Sequence, residues 1–367
     1  RPYSRIADAL LDYQFWSPND PQKTPYDDTG WTFPENFDVQ AVRVVDPAVL
    51  SVPMERVTTT IEAPGGVSGS GSVFAINNNG DNALTTLRYQ LRNADFQVAE
   101  DPFQGNGHSF ARGSYVIRSV SPGELDRTAR ALGVTAYAMG SAPSVAMHPA
   151  RAARVAILHT WGSTQTEGWW REAFDVAHIP YSYISVQDVA KDPNLNAKYD
   201  VILFPPSGNA QSIVQGMPMW RNAMPWKTTP LTPNIGKIAE TDDIRPGLGL
   251  QGVKNLQSFV ERGGVLVGVS STADFAINYG LASGVSANQA GRSKVVGSLL
   301  RTRIVDEASP LVYGVSDSLA VYSEDGESFS VSNTRGGFRG GRFGGGESVR
   351  ETGRGTADDP DVVQGRP

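Results

Sequence analysis

VAILHTWGSTQTEGWWREAFDVAH, residues 155–178, is the stretch that decides the fold. Val155–His159 is a short apolar run that ends in polar residues, the pattern of a strand buried on both faces. Further on the period changes. Trp170, Ala173, Phe174 and Ala177 fall at i, i+3, i+4 and i+7, the inner face of a helix over 167–178. The same alternation continues downstream, with strands over Tyr181–Ile184 and Val201–Phe204. A helix over 253–262 carries Val253, Leu256, Phe259 and Val260 and stops at Gly263-Gly264. Val265–Val269 then has the composition of a continuous buried strand, and a helix over Thr272–Tyr279 follows it. Strands alternating with helices predict an α/β fold, here a flavodoxin-like doubly wound sheet.

Upstream of that stretch the alternation is weaker. Gly65–Ser72 (GGVSGSGS) has the composition of a flexible connection. Val73–Ile76, Phe96–Ala99 and Tyr115–Ile117 suit strands, with a glycine-rich loop around Asn106. Leu84, Leu87 and Leu91 predict a helix over Asn82–Ala94, and the capping box Ser121-Pro122-Gly123-Glu124 starts another. These elements make a smaller α/β unit with a partly parallel sheet. The expected organisation is a linker over 1–50, a small α/β domain over 51–150, the flavodoxin-type domain over 151–334, and a disordered Gly/Arg-rich tail over 335–367. Residues 205–250, rich in Pro, Met and Trp, read as a long functional or interface-forming insertion.

Composition narrows the function. In 367 residues, 32 Lys and Arg face 38 Asp and Glu, so a nucleic-acid partner lacks the basic surface it needs. The Arg/Gly/Phe tail resembles RNA-binding composition but is one short patch on an acidic chain. No run of about 18 apolar residues predicts a membrane span. Cysteine is absent, which removes disulfides, thiolate zinc ligands and thiol nucleophiles. The first residue is Arg1 and no leader follows it, so the chain reads as a fragment.

Each candidate chemistry then lacks a component. His108, His148, His159 and His178 show no metal-ligand spacing, so no metal site is expected. Ser270 and Ser271 follow a predicted strand at a sharp turn, the setting of a nucleophile elbow, yet no histidine comes after them to act as base. The alternative is a tight turn whose hydroxyls cap the next helix. Gly247-Leu248-Gly249-Leu250-Gln251-Gly252 matches a dinucleotide fingerprint, but no strand precedes it to aim a helix at a pyrophosphate. No catalytic residue and no cofactor is therefore assigned. What remains is binding. In open α/β sheets, ligands sit beyond the carboxyl ends of the strands. His159, Trp161, Gln165, Glu167, Ser207, Ser270 and Ser271 all stand there, candidates for a pocket taking a small polar ligand or a peptide end. The competing explanation is a well-capped helix start with buried tryptophans.

Several strings taken together resemble one family. Ile6–Trp16 with Pro25–Pro34 is similar to the segment after the catalytic domain of large bacterial zinc carboxypeptidases, carboxypeptidase A-like. Leu158-His159-Thr160-Trp161, Gln165, Gly168-Trp169, Phe174-Asp175, Ile179-Pro180-Tyr181, Tyr199–Ile202 and Phe259–Val267 resemble their appended class I glutamine amidotransferase-like domain. The resemblance covers most of residues 1–325. It implies an accessory region of a metallopeptidase, secreted or periplasmic, with the missing catalytic domain of the same polypeptide as its partner. The family's zinc ligands and general-base glutamate match nothing in this sequence, so zinc would belong to that missing domain. The amidotransferase Cys and His-x-Glu also have no counterparts.

Overall fold

The order of elements follows from capping and turn residues that the sequence spells out. The computed structural model describes residues 3–11, 32–37, 39–59, 61, 63–219, 222–288, 298–315, 318–323 and 328–332. The chain opens with helices α1 (Ser4–Leu11) and α2 (Phe33–Asn36). There follow β1 (Gly66–Ser68), β2 (Val73–Ile76), α3 (Asn82–Gln90), β3 (Asp95–Ala99), β4 (Phe103–Gly105), β5 (His108–Phe110), β6 (Tyr115–Arg118), α4 (Pro122–Ala131), β7 (Thr135–Met139) and β8 (Met147–Pro149). Next come β9 (Val155–His159), α5 (Gln165–Val176), β10 (Tyr181–Ser185), α6 (Val186–Lys191), β11 (Val201–Phe204), α7 (Ala210–Gln215), α8 (Gly249–Glu261), β12 (Val265–Gly268) and α9 (Ser271–Asn278). The last elements are β13 (Val285–Asn288), β14 (Ser298–Arg303), β15 (Ser318–Ser323) and β16 (Ser328–Val331).

Two units separate by their internal packing. One gathers Arg1–Val57, Gly284–Val305 and Ser316–Pro367; the other gathers Thr58–Ser283 and Asp306–Val315. In the first, β13 pairs with β16 and β14 with β15, both antiparallel, and Arg301 bonds Glu35 at 2.6 Å. The expected tail at 335–367 and residues 12–31 of the expected linker lie outside the described residues.

The second unit holds the larger sheets. The first runs β1-β7-β2-β6-β3-β8, with β1 parallel to β7 and the other neighbours antiparallel. Between β2 and β7 the chain follows a split β-α-β-β-α-β path with one hairpin inserted. Period-two alternation divides the sheet into faces. Phe74, Ile76, Phe96 and Ile117 pack with Leu84, Leu87 and Leu125 of α3 and α4. Val73, Ala75 and Val116 face the other way and pack with Phe103 and Phe110 of the β4–β5 hairpin. Asp81 caps α3 through Ala83 N, and Ser121 caps α4 through Glu124 N.

Two expectations change here. The glycine-rich run after Ala63 is no flexible connection. Gly66–Ser68 pairs with β7, and a Cβ at Gly65 or Gly71 would overlap the carbonyl of Ala129 or Met139, so these glycines permit close backbone approach. The loop around Asn106 is a two-residue hairpin turn, with Asn106 at φ 47 and Gly107 at φ 78, the conformation Asn-Gly favours between strands.

The second sheet of this unit is parallel throughout, in the order β10-β9-β11-β12. Ala156, Leu158, Ile202 and Phe204 pack beneath α6, α7, α8 and α9 through Val189, Ile213, Leu256, Phe259 and Phe275. Helix α5 instead meets the opposite face, where Phe174 lies edge-on to Tyr181 and Glu167 accepts from Tyr183. The architecture is a mixed α/β fold with parallel and antiparallel sheets. The helix expected over 167–178 spans 165–176; Trp170, Phe174 and Ala177 are half-buried as expected, Glu167 and Arg171 join the inward side, and Ala173 is exposed. β12 is not buried on both faces: Val265 is 52% exposed and Val267 38%. Thr86 Oγ1 to Ala177 O at 2.8 Å and Tyr89 OH to Ala153 O at 2.7 Å tie α3 to the ends of α5 and of the segment leading into β9. Among the described residues no helix is long and apolar enough to cross a membrane.

Candidate functional site at the strand ends

Because the four strands are parallel, their carboxyl ends lie along one edge of the sheet. His159, Ser185, Phe204 and Gly268 are the last residues of β9, β10, β11 and β12. Two polar groups form there, on opposite sides of the β9 backbone, as period-two alternation of His159 and Thr160 requires.

The first group lies under α5. The His159 ring stacks on Tyr183, centroids 4.0 Å apart and planes 7° apart, and Trp161 meets it edge-on at 4.9 Å. Tyr183 donates its hydroxyl to Glu167 Oε1 at 2.5 Å. Arg171, one turn beyond Glu167, places its guanidinium 4.6 Å from the Tyr183 ring centroid and 3.7 Å from Glu167 Oε1. His159 and Glu167 are both buried, at 2% and 3% exposure. Burial costs the charged form of each. It lowers the His159 pKa to about 4, and it raises that of Glu167 against the opposing pull of Tyr183 and Arg171. Burial also raises the Tyr183 hydroxyl, and its bond to Glu167 adds to that.

Four buried polar atoms in this group have no hydrogen-bond partner: His159 Nε2, Trp161 Nε1, Glu167 Oε2 and Arg171 Nε. A buried polar atom left unbonded costs about 1–3 kcal/mol, so four together call for a partner, an ordered water or a ligand. His159 Nδ1 lies 3.3 Å from the Thr160 carbonyl, which puts the proton on Nδ1 and leaves Nε2 an acceptor. The free set thus combines two acceptors, Nε2 and Oε2, with two donors on Trp161 and Arg171.

The second group is built from hydroxyls. Thr160 Oγ1 and Ser207 Oγ share a hydrogen bond of 2.6 Å. Ser207 N donates to Ser271 Oγ at 3.1 Å, and Ser271 Oγ donates back to the Ser207 carbonyl. Thr272 Oγ1 donates to Phe204 O at 2.6 Å and accepts from Val269 N at 2.8 Å. These bonds tie the turn after β12 to the end of β11, so the hydroxyls link strands where the sequence suggested caps for the next helix. Ser270 makes no side-chain cap and sits exposed at φ 53, ψ −124, a conformation that costs a side-chain-bearing residue about 1–3 kcal/mol.

Of the seven residues the sequence singled out, His159, Trp161 and Glu167 come together under α5, and Ser207 and Ser271 meet on the other side with Ser270 beside them. Gln165 is exposed at the first position of α5. Tyr183, Arg171, Thr160 and Thr272 were missed. Arg171 was detectable at i+4 from a glutamate in a first helical turn. The other three depend on strand pairing. The glycine run 247–252 serves packing: a Cβ on Gly247 would lie 2.7 Å from Ile213 O, and Gly252 abuts Leu248. Among the described residues no three His, Asp or Glu side chains stand together as a metal would need.

Comparison with family models, with curated proteins and with solved structures returned no match.

Proposed function

We propose that this chain is a binding and scaffolding α/β region without chemistry of its own, which takes a small polar ligand or a peptide end beside Trp161. The observation that carries this reading is the set of four unbonded buried polar atoms at the carboxyl end of a parallel sheet. The order β10-β9-β11-β12 corresponds to the first four strands of a flavodoxin-like sheet, 2-1-3-4, and supports a doubly wound domain of the class I glutamine amidotransferase-like type. On the resemblance of its sequence, the region is the accessory part of a secreted or periplasmic zinc metallocarboxypeptidase-like protein. Zinc and peptide hydrolysis would belong to the catalytic domain of that polypeptide.

Isothermal calorimetry with short peptides and with small polar ligands tests the binding reading on wild type, Trp161→Ala and Glu167→Gln. Saturable heat in wild type, weakened at least about tenfold in both variants, is the expected result, since losing a buried charge-assisted bond costs about 1.5–3 kcal/mol. Equal heats in all three proteins would sink the pocket.

One observation favours a second reading, a serine hydrolase centred on Ser270 or Ser271: Ser270 carries the backbone strain of an elbow between strand and helix. The base is what it lacks. His159 is committed to Tyr183 and is neutral, His148 pairs with Glu100, and His108 stacks on Tyr137. His178 follows the carboxyl end of α5, at the far end of the sheet. Covalent labelling of Ser270 by a fluorophosphonate would establish the hydrolase; an unlabelled chain supports binding alone.

A further inference from the structure

The loop Thr160–Thr164 brings Trp161 against His159 in the buried polar group, while Gly162 and Thr164 on the same loop are exposed. A further contact on the loop comes from far along the chain. Met217 Cε lies 2.8 Å from where a Cβ on residue 162 would stand, so the methionine methyl packs against Gly162. Met217 opens the excursion that leaves α7 and returns before α8.

The neck of that excursion is heavily tied. Gly216 and Pro246 form an antiparallel bridge, and Met217 N donates to Arg245 O at 2.8 Å. The Arg245 guanidinium is 8% exposed and grips Asp243 at 2.6 Å, which holds the Asp243 carboxyl well below its usual range. Gln187, buried on α6, donates to Asp243 O at 2.7 Å and to Pro246 O at 3.2 Å, and accepts from Thr241 Oγ1 at 2.8 Å. A buried side-chain amide whose bonds are all met, beside a half-buried ion pair, specifies one arrangement. Here that arrangement sets where Met217 sits.

We propose that this neck is a latch: Met217 on Gly162 holds the Thr160–Thr164 loop closed, keeping Trp161 against His159, and loosening the neck opens the way to the polar group under α5. The site the latch guards rests on the binding reading above; the mechanical coupling does not need a ligand. It links Gln187 on α6, through Asp243 and Arg245, to Met217 and the loop.

Hydrogen exchange on the full chain, read by mass spectrometry, tests the coupling without any ligand. Met217→Ala is expected to raise exchange about tenfold at residues 168–170, the first bonded amides of α5, where Gly168 N donates to Thr164 O at the end of the loop, the effect of about 1.4 kcal/mol in a local opening equilibrium. Gln187→Ala, which touches the neck and not the loop, is expected to raise the same amides. The β9 amides of residues 156–158 report global integrity and should hold their protection. Leu231→Ala is the control, because that side chain is 94% exposed in the turn between Thr229 and Thr232, away from the neck. Unchanged exchange at 168–170 in Met217→Ala or in Gln187→Ala, or an equal rise in Leu231→Ala, overturns the latch. If Met217→Ala loses β9 protection, Gln187→Ala decides alone. A latch without ligand heats would leave the coupling standing and remove the binding reading; heats without coupling would do the reverse.

Discussion

At the end of β9, burial acts on two ionisable side chains in opposite senses, and pH separates them. His159 has a folded pKa near 4 against an ordinary 6.5. Between those values the unfolded chain binds the extra proton, so stability is present above pH 6.5 and is lost as pH falls towards 4. Glu167 runs the other way. Its folded pKa is raised above the ordinary 4.5, so its contribution is full below 4.5 and is lost as pH rises through the folded value. The two therefore oppose each other above pH 4.5. Asp192, Asp200 and Asp243, held low by Lys198, Arg154 and Arg245, lose their contributions only below 3.8 and stay out of this window. Replacing Glu167 by Gln should leave the histidine slope alone, up to about 1.4 kcal/mol per pH unit for one proton. Urea denaturation at several values between pH 4.5 and 6.5 checks this: the rise of stability with pH should steepen in Glu167→Gln and be lost in His159→Phe, where only the opposing glutamate remains. An unchanged slope in His159→Phe would mean the imidazole is not held neutral. The sequence shows His159 and Glu167 as polar residues near a strand end, but not that Tyr183 from the next strand lies between them.

Elements were legible where local chemistry alone decides them. Val73–Ile76, Val155–His159 and Val201–Phe204 are strands with the bounds their apolar runs predict, and Ser121 starts its helix as the capping box requires. The misreadings occur where a partner decides. Glycines at 65 and 71 look like flexibility until Ala129 and Met139 are placed against them, and the run Val265–Val269, four hydrophobic residues and a glycine, looks buried until the sheet shows β12 at its edge. On β12 the even position, Leu266, packs against the core beneath α8 and α9, while Val265 and Val267 turn to the face that α5 covers only over β9 and β10. That asymmetry has a measurable consequence. Val267→Thr should change stability by less than about 0.5 kcal/mol, the range of surface substitutions. Ile157→Thr, on the same face of β9 but fully buried, should cost about 2 kcal/mol or more through lost packing and a buried hydroxyl. Chemical denaturation of the two variants checks the contrast, and equal losses would mean that the β12 face is covered in solution.

At the scale of the whole molecule, the two units are interleaved along the chain, and no reading of local pattern anticipates that. Residues 306–315 lie after β14, yet they pack within the unit of Thr58–Ser283. Their contacts are specific. Arg112 Nη1 donates to Glu307 O at 2.8 Å, and Tyr313 covers Gly113, where a Cβ would come within 2.5 Å of the tyrosine Cβ. Gly113 has φ 87, so its turn needs glycine for its backbone as well as for the space Tyr313 takes. Gly314 stands against Asn78, whose side-chain amide donates to Gly113 O at 3.2 Å. The segment therefore closes the turn between β5 and β6 and the exit of β2 together. A fragment ending at Ser283 would keep both larger sheets but lose this cover, exposing the Gly113 turn and leaving Arg112 without that carbonyl. We expect residues 58–283 to fold and to be less stable than residues 58–315 by about 1–3 kcal/mol, the cost of one lost charged hydrogen bond and one aromatic contact. Urea denaturation of the two fragments measures the difference. Tyr313→Ala in the longer fragment should reproduce a large part of the loss, because the Tyr313 side chain stands against Gly113. Equal midpoints would show that the segment rests on the unit without supporting it.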